Sequence, residues 1–153
     1  MAWTGNISLQ KYNTFGIDAI ARYFAVFSTQ DQLADLLQQA AGLPAGSASR
    51  LPFVLGGGSN ILLTKNIDGL VMRNEIKGIE LVDEDEQYVY VTAGAGEGWH
   101  GFVEYCFKRN WAGVENLSLI PGSVGAAPMQ NIGAYGVEIK DIFHELTAWD
   151  LAE

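Results

Sequence analysis

Three glycine-rich segments carry most of the chemistry this sequence can offer, and they offer it through the backbone. The first is Leu55-Gly-Gly-Gly-Ser-Asn60, followed by the apolar Ile61 and Leu62. Glycine reaches positive φ and admits close approach. Gly56, Gly57 and Gly58 can therefore turn successive N–H groups toward one anion, with Ser59 and Asn60 adding side-chain donors, which makes a nest for pyrophosphate. A flexible turn has the same composition. The second segment is Thr92-Ala-Gly-Ala-Gly-Glu-Gly-Trp99, between a strand pattern and a helix pattern. There Gly94 serves either a tight strand-to-helix turn or a contact with a cofactor, and Glu97 near the helix start is accommodated by the helix dipole alone. The third segment, residues 119–136, sets Gly122, Gly125, Gly133 and Gly136 beside Pro121 and Pro128 and carries no charge. Proline fixes φ, so this is a shaped path. Gly122 and Ser123 can hydrogen-bond a polar ring edge, while Ile120, Val124, Ile132 and Tyr135 supply apolar contact. A structural loop packed on the core is the alternative.

The familiar phosphate motifs do not fit. A P-loop needs G-x-x-x-x-G-K-[ST], and no Gly-Lys pair follows Gly56. The dinucleotide fingerprint needs a glycine where Trp99 stands, after Gly94 and Gly96. A flavin would suit the third segment, because its ring wants apolar sandwiching and backbone hydrogen bonds that tune its electronics. Catalytic side chains are few. His100 falls on a helix pattern and His144 on a strand pattern, with no Cys, His or carboxylate cluster and no zinc spacing. Ser59, Ser118 and Ser123 lack a nucleophile-elbow context. Cys106 lies on an apolar helix stripe, where packing outranks thiol chemistry. Lys108 and Arg109 suit a helix C-terminus.

The elements that must position these segments are legible from periodicity. Residues 23–27 read as a buried strand. Thr29 and Gln32 have capping-box spacing, and Leu33, Leu36, Leu37 and Ala40 place a helix over about 31–41. The breakers of residues 42–49 end it. Strands follow at 53–55 and 69–72, giving a small βαβ-like layer. Residues 78–82 and 88–92 flank the acidic stretch 83–86, a hairpin with a solvated tip. Trp99, Phe102, Val103 and Cys106 predict a helix over about 98–109. Residues 143–149 alternate as a strand, and the chain stops four residues later, which suits equally a natural domain that ends on a strand and a fragment cut just after one. A subdivision falls near 74–77, where the parallel-type pattern gives way to the hairpin.

Composition narrows the class. With 153 residues the chain can bury a core. Its net charge of −9 argues against a generic nucleic-acid or anionic-membrane surface. A phosphate ligand stays possible, because backbone N–H groups bind phosphate without lysine. One cysteine rules out an internal disulfide. No signal-peptide pattern and no membrane-length apolar run is present. The expectation is a soluble cytoplasmic protein.

Read in order, Asn13-Thr-Phe-Gly16, Leu55-Gly-Gly-Gly-Ser-Asn60, Ala93-Gly-Ala-Gly-Glu-Gly-Trp-His100, Gly113-Val-Glu-Asn116, Ile120-Pro-Gly-Ser-Val-Gly125 and Pro128-Met-Gln-Asn-Ile-Gly-Ala-Tyr-Gly136 resemble the UDP-N-acetylenolpyruvoylglucosamine reductase family. These are flavoenzymes of peptidoglycan precursor synthesis. The resemblance spans about residues 12–149, and its last motif is highly specific. It implies an α+β FAD-binding domain of the vanillyl-alcohol-oxidase (PCMH) type with two subdomains, 1–74 and 75–153. The second subdomain would be incomplete at the C-terminus, and the substrate domain would be absent. It implies noncovalent FAD, since the first glycine loop has no histidine or cysteine for covalent attachment. Gly56, Gly57, Gly58, Ser59 and Asn60 would face the pyrophosphate. Gly94, Gly122, Ser123, Gly125, Ala126 and Ile132 would line the adenine-to-flavin path, with Asn131, Gly133 and Tyr135 holding the last loop beside the flavin.

The family's activity transfers a hydride from NADPH to FAD and then to the enolpyruvyl group of a UDP-sugar. Its catalytic arginine, serine acid and glutamate sit in motifs that this sequence does not contain, so the resemblance implies that this chain binds FAD weakly or in part and does not turn over alone. An open sheet edge would favour self-association. The other readings are another FAD-dependent oxidoreductase of the same superfamily and a non-enzymatic nucleotide-binding module.

Overall fold

A computed structural model describes residues 3–42 and 51–150. Four strands form the first sheet: β1 (Thr4–Ser8), β2 (Ile20–Phe27), β3 (Phe53–Leu55) and β4 (Ile67–Asn74). Their order is β1-β2-β4-β3. The β1 strand runs antiparallel to β2, and β2, β4 and β3 are parallel. Central β4 is apolar without alternation because both its faces are covered. Phe24 and Val71, paired in register, point to one face with Leu9, Ala21, Leu55 and Leu63. Ala25, Phe27, Leu70 and Met72 point to the other, against Leu36 of helix α1 (Gln30–Ala40).

Helix α1 starts as its sequence predicts, with one variation. The Gln32 N–H donates to Thr29 Oγ1 at 3.1 Å, but Gln32 Oε1 accepts from the Ser28 N–H at 2.8 Å, one residue before the cap. Of the breaker run 42–49, residues 43–49 lie outside the described residues.

Residues 9–19 cover the first face. Asn13, almost fully buried, holds this segment in a closed turn. Its Nδ2 donates to the carbonyls of Leu9 (2.8 Å) and Ile17 (3.0 Å), and its Oδ1 accepts from the Ile17 N–H (3.0 Å).

The hairpin follows as β5 (Ile79–Glu84) and β6 (Val89–Ala93), antiparallel, with a register shift between Leu81 and Asp83. Its acidic tip is more ordered than the solvated turn that the sequence suggests. Asp85 Oδ1 accepts from the N–H groups of Gln87 and Tyr88, both at 2.7 Å. Those bonds, Gln87's first, hold the Asp85 carboxyl below the usual carboxylate range. Helix α2 (Trp99–Phe107) buries Trp99, Val103 and Cys106. The Trp99 Nε1 donates to the Leu117 carbonyl at 2.7 Å, which anchors the helix to the glycine-rich segment. That segment contains helix α3 (Ala127–Gln130) and the two-residue strands β7 (Gly133–Ala134) and β8 (Val137–Glu138). Leu117, Ala127 and Ile139 close the core beneath it.

One strand has no counterpart in the sequence reading, and one expectation needs correction. Strand β1 has no strand signal, since it contains Gly5 and Asn6, the latter at φ 53°. It forms because its Ile7 joins the first core cluster and its backbone pairs with β2. Conversely, the alternating residues 143–149 form no strand. Alternation supplies an apolar face, but a strand also needs a ladder for its N–H and C=O groups. Among the described residues no strand provides one. Leu146 and Trp149 are exposed, and His144 makes only an edge contact with Tyr90, ring centroids 5.2 Å apart.

Candidate functional site

The parallel register fixes where the first glycine segment points. Leu55 pairs with Arg73, so residues 56–60 leave β3 at the edge where β4 ends. Carboxyl ends of parallel strands are where open α/β sheets bind ligands.

Backbone contacts bring the three glycine segments together. A Cβ on Gly57 would stand 3.2 Å from Gly122 Cα, and one on Gly56 would stand 2.7 Å from Ser123 Oγ. The third segment is bridged to the second: the Trp99 N–H donates to the Gly122 carbonyl at 3.0 Å, and the Val124 N–H to the Glu97 carbonyl at 2.9 Å. The Gly125 N–H donates to the Ala95 carbonyl at 2.9 Å. The second segment rests on residues 75–78, with the Gly94 N–H bonded to the Gly78 carbonyl (2.8 Å) and the Gly96 N–H to that of Ile76 (2.9 Å).

An open cleft of about 200 Å³ lies between these segments. It is lined by Gly56, Gly57, Gly122 and Ser123 together with Arg73, Glu75, Lys77 and Gly96. The N–H groups of residues 57–60, 122 and 123 have no hydrogen-bond acceptor among the described residues. Of these residues Gly58 and Ser123 are buried, where a backbone donor is normally paired, and Gly57 and Asn60 are open to solvent. Those of Gly57, Gly122 and Ser123 belong to residues that line the cleft, an arrangement that fits an anion.

The expected residues divide into cleft and support. Gly56, Gly57, Gly122 and Ser123 line the cleft. Ser59 Oγ lies 3.1 Å from where a Gly122 Cβ would stand, beside the crossing. Gly58 faces away: at φ 67° its α-carbon abuts the Tyr12 carbonyl, and its own carbonyl accepts from the Thr14 N–H at 3.0 Å. Asn60 donates through Nδ2 to Gln130 Oε1 at 3.0 Å and so ties the first segment to α3. Gly94 and Gly125 stand behind the cleft as backbone contacts. Ala126 and Ile132 line a separate small recess with Trp99 and Pro121, on the other side of Gly122.

Arg73, Glu75 and Lys77 carried no site assignment in the sequence. Arg73 Nε pairs with Glu75 Oε1 at 2.8 Å, and its guanidinium lies 4.9 Å from the Tyr12 ring centroid. Lys77 Nζ stands 3.6 Å from Glu97 Oε2 and also donates to the Gly96 carbonyl. Glu97 does more than face a helix dipole, since its Oε1 accepts from the Gly78 N–H at 2.9 Å. The sequence signal for this group is its place at the end of β4 and just beyond it.

The other reactive side chains sit elsewhere. His100 Nδ1 accepts from the Leu119 N–H at 3.3 Å, and its Nε2 is 3.6 Å from Glu104. Cys106 is buried, and desolvation pushes its thiol up, away from thiolate chemistry. Among the described residues no group of three potential metal ligands exists, and no helix is long and apolar enough to cross a membrane.

Comparison with known proteins converges on the same segments. The family model described as FAD binding domain matches residues 21–153. The chain is 51% identical over 150 residues to the UDP-N-acetylenolpyruvoylglucosamine reductase of Pseudomonas putida, covering 97% of this chain and 42% of that protein. It is 49% identical over 147 residues to the enzyme of that name from Amoebophilus asiaticus, covering 96% and 42%. The chain thus spans about two fifths of the length of these relatives. The crystal structure of the Thermus caldophilus UDP-N-acetylenolpyruvylglucosamine reductase superposes with a TM-score of 0.65 over 91% of this chain and 46% of that one, at 24% identity, which speaks for the fold alone. With its α+β architecture and its glycine segments in one cleft, the chain belongs to the FAD binding domain family and is homologous to the FAD-binding region of the UDP-N-acetylenolpyruvoylglucosamine reductases.

Proposed function

We propose that this chain is the FAD-holding part of a reductase that takes hydride from NADPH and passes it to the enolpyruvyl group of UDP-N-acetylglucosamine enolpyruvate, giving UDP-N-acetylmuramate in the cytoplasm. The observation that carries the reading is the crossing of Gly57 with Gly122 and Ser123, three residues of one cleft whose N–H groups have no acceptor among the described residues. In this reading those groups hold the cofactor's diphosphate, and the N-terminus of α2 at Gly98 adds positive potential from the same side. Ser59 and Ser123 supply hydroxyl donors. Ile132 and Ala126, in the recess past Gly122, give apolar support toward the ring end. Bound FAD would supply a two-electron carrier that accepts and returns a hydride. The protein's share here is binding and orientation.

The cleft is smaller than the roughly 300–1,000 Å³ of sites that enclose a small-molecule ligand. It suits the diphosphate and its neighbourhood, and the isolated chain binds FAD with part of the contacts. Among the described residues no acid stands in the cleft beside an arginine free of a carboxylate partner. The expected outcome is therefore cofactor binding without turnover. Titration of the purified chain with FAD, followed by tryptophan and flavin fluorescence, tests the reading. Saturable 1:1 binding, lost when Gly57→Val drives the two loops apart, is the expected result. A chain that leaves FAD free at every concentration, or that reduces the enolpyruvyl substrate unaided, would overturn it.

A further inference from the structure

We propose that Arg73 and Lys77 select a diphosphate-bearing ligand for this cleft, each leaving its resting carboxylate partner to pair with a phosphate oxygen. The inference rests on the FAD reading of the same cleft and adds the side chains that give it charge selectivity.

The lining of the cleft carries both cations beside the glycine crossing. In the structure each is matched by one carboxylate, Arg73 by Glu75 and Lys77 by Glu97. The lining is therefore nearly neutral at rest, in a chain whose net charge is −9. A diphosphate brings two negative charges into that field. Backbone N–H groups contribute only partial positive charge, so full compensation needs cations. Both pairs are partly exposed to water. Exposed ion pairs are worth little, about 0–1 kcal/mol, so exchanging one carboxylate for a phosphate meets little resistance. Phosphate repays the exchange, because charge-assisted bonds from guanidinium to phosphate are among the strong ones and can be bidentate.

Position also favours these two residues. Arg73 pairs in register with Leu55, the residue before Gly56, so the sheet fixes its distance from the glycine turn. Its guanidinium rests near the Tyr12 ring, and Tyr12 precedes Asn13 in the closed turn against which Gly58 packs. Lys77 is tethered by the Gly96 carbonyl, in the second glycine segment. The cations thus stand four positions apart, Arg73 at the end of β4 and Lys77 in the segment just after it, as two points of contact for a ligand with two phosphates. Glu97 has a second role to return to, the Gly78 N–H, when Lys77 turns away.

The test compares FAD, riboflavin and inorganic pyrophosphate as probes on the wild-type chain and on Arg73→Met, Lys77→Met and Glu75→Gln. Circular dichroism verifies that each variant folds. Each cation variant is expected to weaken FAD and pyrophosphate binding by about ten-fold or more while leaving riboflavin unchanged. Glu75→Gln, which frees Arg73, is expected to hold FAD at least as well as wild type. If the wild type binds FAD and the cation variants match it, or if riboflavin weakens in parallel, the inference fails and the FAD reading stands. If Glu75→Gln loses as much as Arg73→Met, the pair is a structural brace and the inference fails. Pyrophosphate binding that depends on Arg73 and Lys77 without any FAD binding would sustain the inference and sink the FAD reading. A wild-type chain that binds neither anion overturns both.

Discussion

Asn13 is the side chain on which the first glycine turn depends, although it touches nothing in the cleft. Its three hydrogen bonds, one buried and two partly buried, close residues 9–17 into a turn, and Gly58 packs against that turn at the Tyr12 carbonyl. Asn13→Ala removes all three bonds and leaves the Ile17 N–H without its acceptor, while the Leu9 and Ile17 carbonyls keep the N–H groups of Tyr12 and Ala19. The expected loss is about 1–3 kcal/mol, read from urea unfolding, together with weaker FAD binding. Gly58→Ala is expected to cost a similar amount, on the order of 1–3 kcal/mol. The new Cβ meets backbone, which cannot move aside as a side chain can. By contrast Gly69→Ala, whose Cβ meets nothing within 4 Å, should unfold close to wild type. At this scale the sequence was informative about glycine and silent about charge. Runs such as residues 56–58 announce a special backbone path. Nothing in the run from Arg73 to Lys77 announces a cleft lining, because that lining exists only through the Leu55–Arg73 register.

At the level of elements, local signals and tertiary partners separate cleanly. Helix α1 has periodicity, a cap and breakers, so its position was readable to within one residue. Thr29→Ala is expected to cost about 1 kcal/mol in thermal or urea unfolding. The hairpin was readable from its flanking strands, but the hydrogen bonds of its tip were not. Asp85 has its folded pKa held down by the Gln87 and Tyr88 N–H groups. Its contribution to stability is thus present above the unfolded pKa of about 3.9 and is lost as pH falls through the folded value. The stability gap between wild type and Asp85→Asn should be open at pH 6 and close below that range. A gap that persists at pH 2 would remove the carboxylate from the account. Strand β1 went unread and residues 143–149 were misread for one reason. Strand formation depends on a ladder partner, which composition does not encode. A five-residue stretch with Gly5 and Asn6 has such a partner, and the alternating residues 143–149 do not.

The whole molecule arranges its exposed apolar surface unevenly. Leu81, Val82 and Tyr88 lie open on the two-stranded hairpin, and Leu146 and Trp149 lie open on the segment after β8. Two-stranded sheets are marginal alone, and unpaired edges invite partners. Concentration-dependent self-association is the expected behaviour of this chain in sedimentation velocity, reduced by Val82→Lys. Strict monodispersity of the wild type across a hundred-fold concentration range would count against it. The fold class was legible at this scale because strand and helix patterns follow in order. The way the glycine segments meet was not, since it depends on contacts between residues far apart in the chain.

The crossing of Gly57 with Gly122 has a further consequence, for heat and not for chemistry. The two loops belong to segments that fold around different cores, so the cleft exists only while those cores are docked. Ligand affinity and docking strength are then one thermodynamic quantity measured from two ends. A ligand at a hundred times its Kd adds about 2.7 kcal/mol to the stability of the species that binds it. The cofactor should therefore act as a clasp, raising the melting temperature of the docked chain. A substitution far from the cleft that loosens the seam should imitate a binding defect while every cleft residue stays in place.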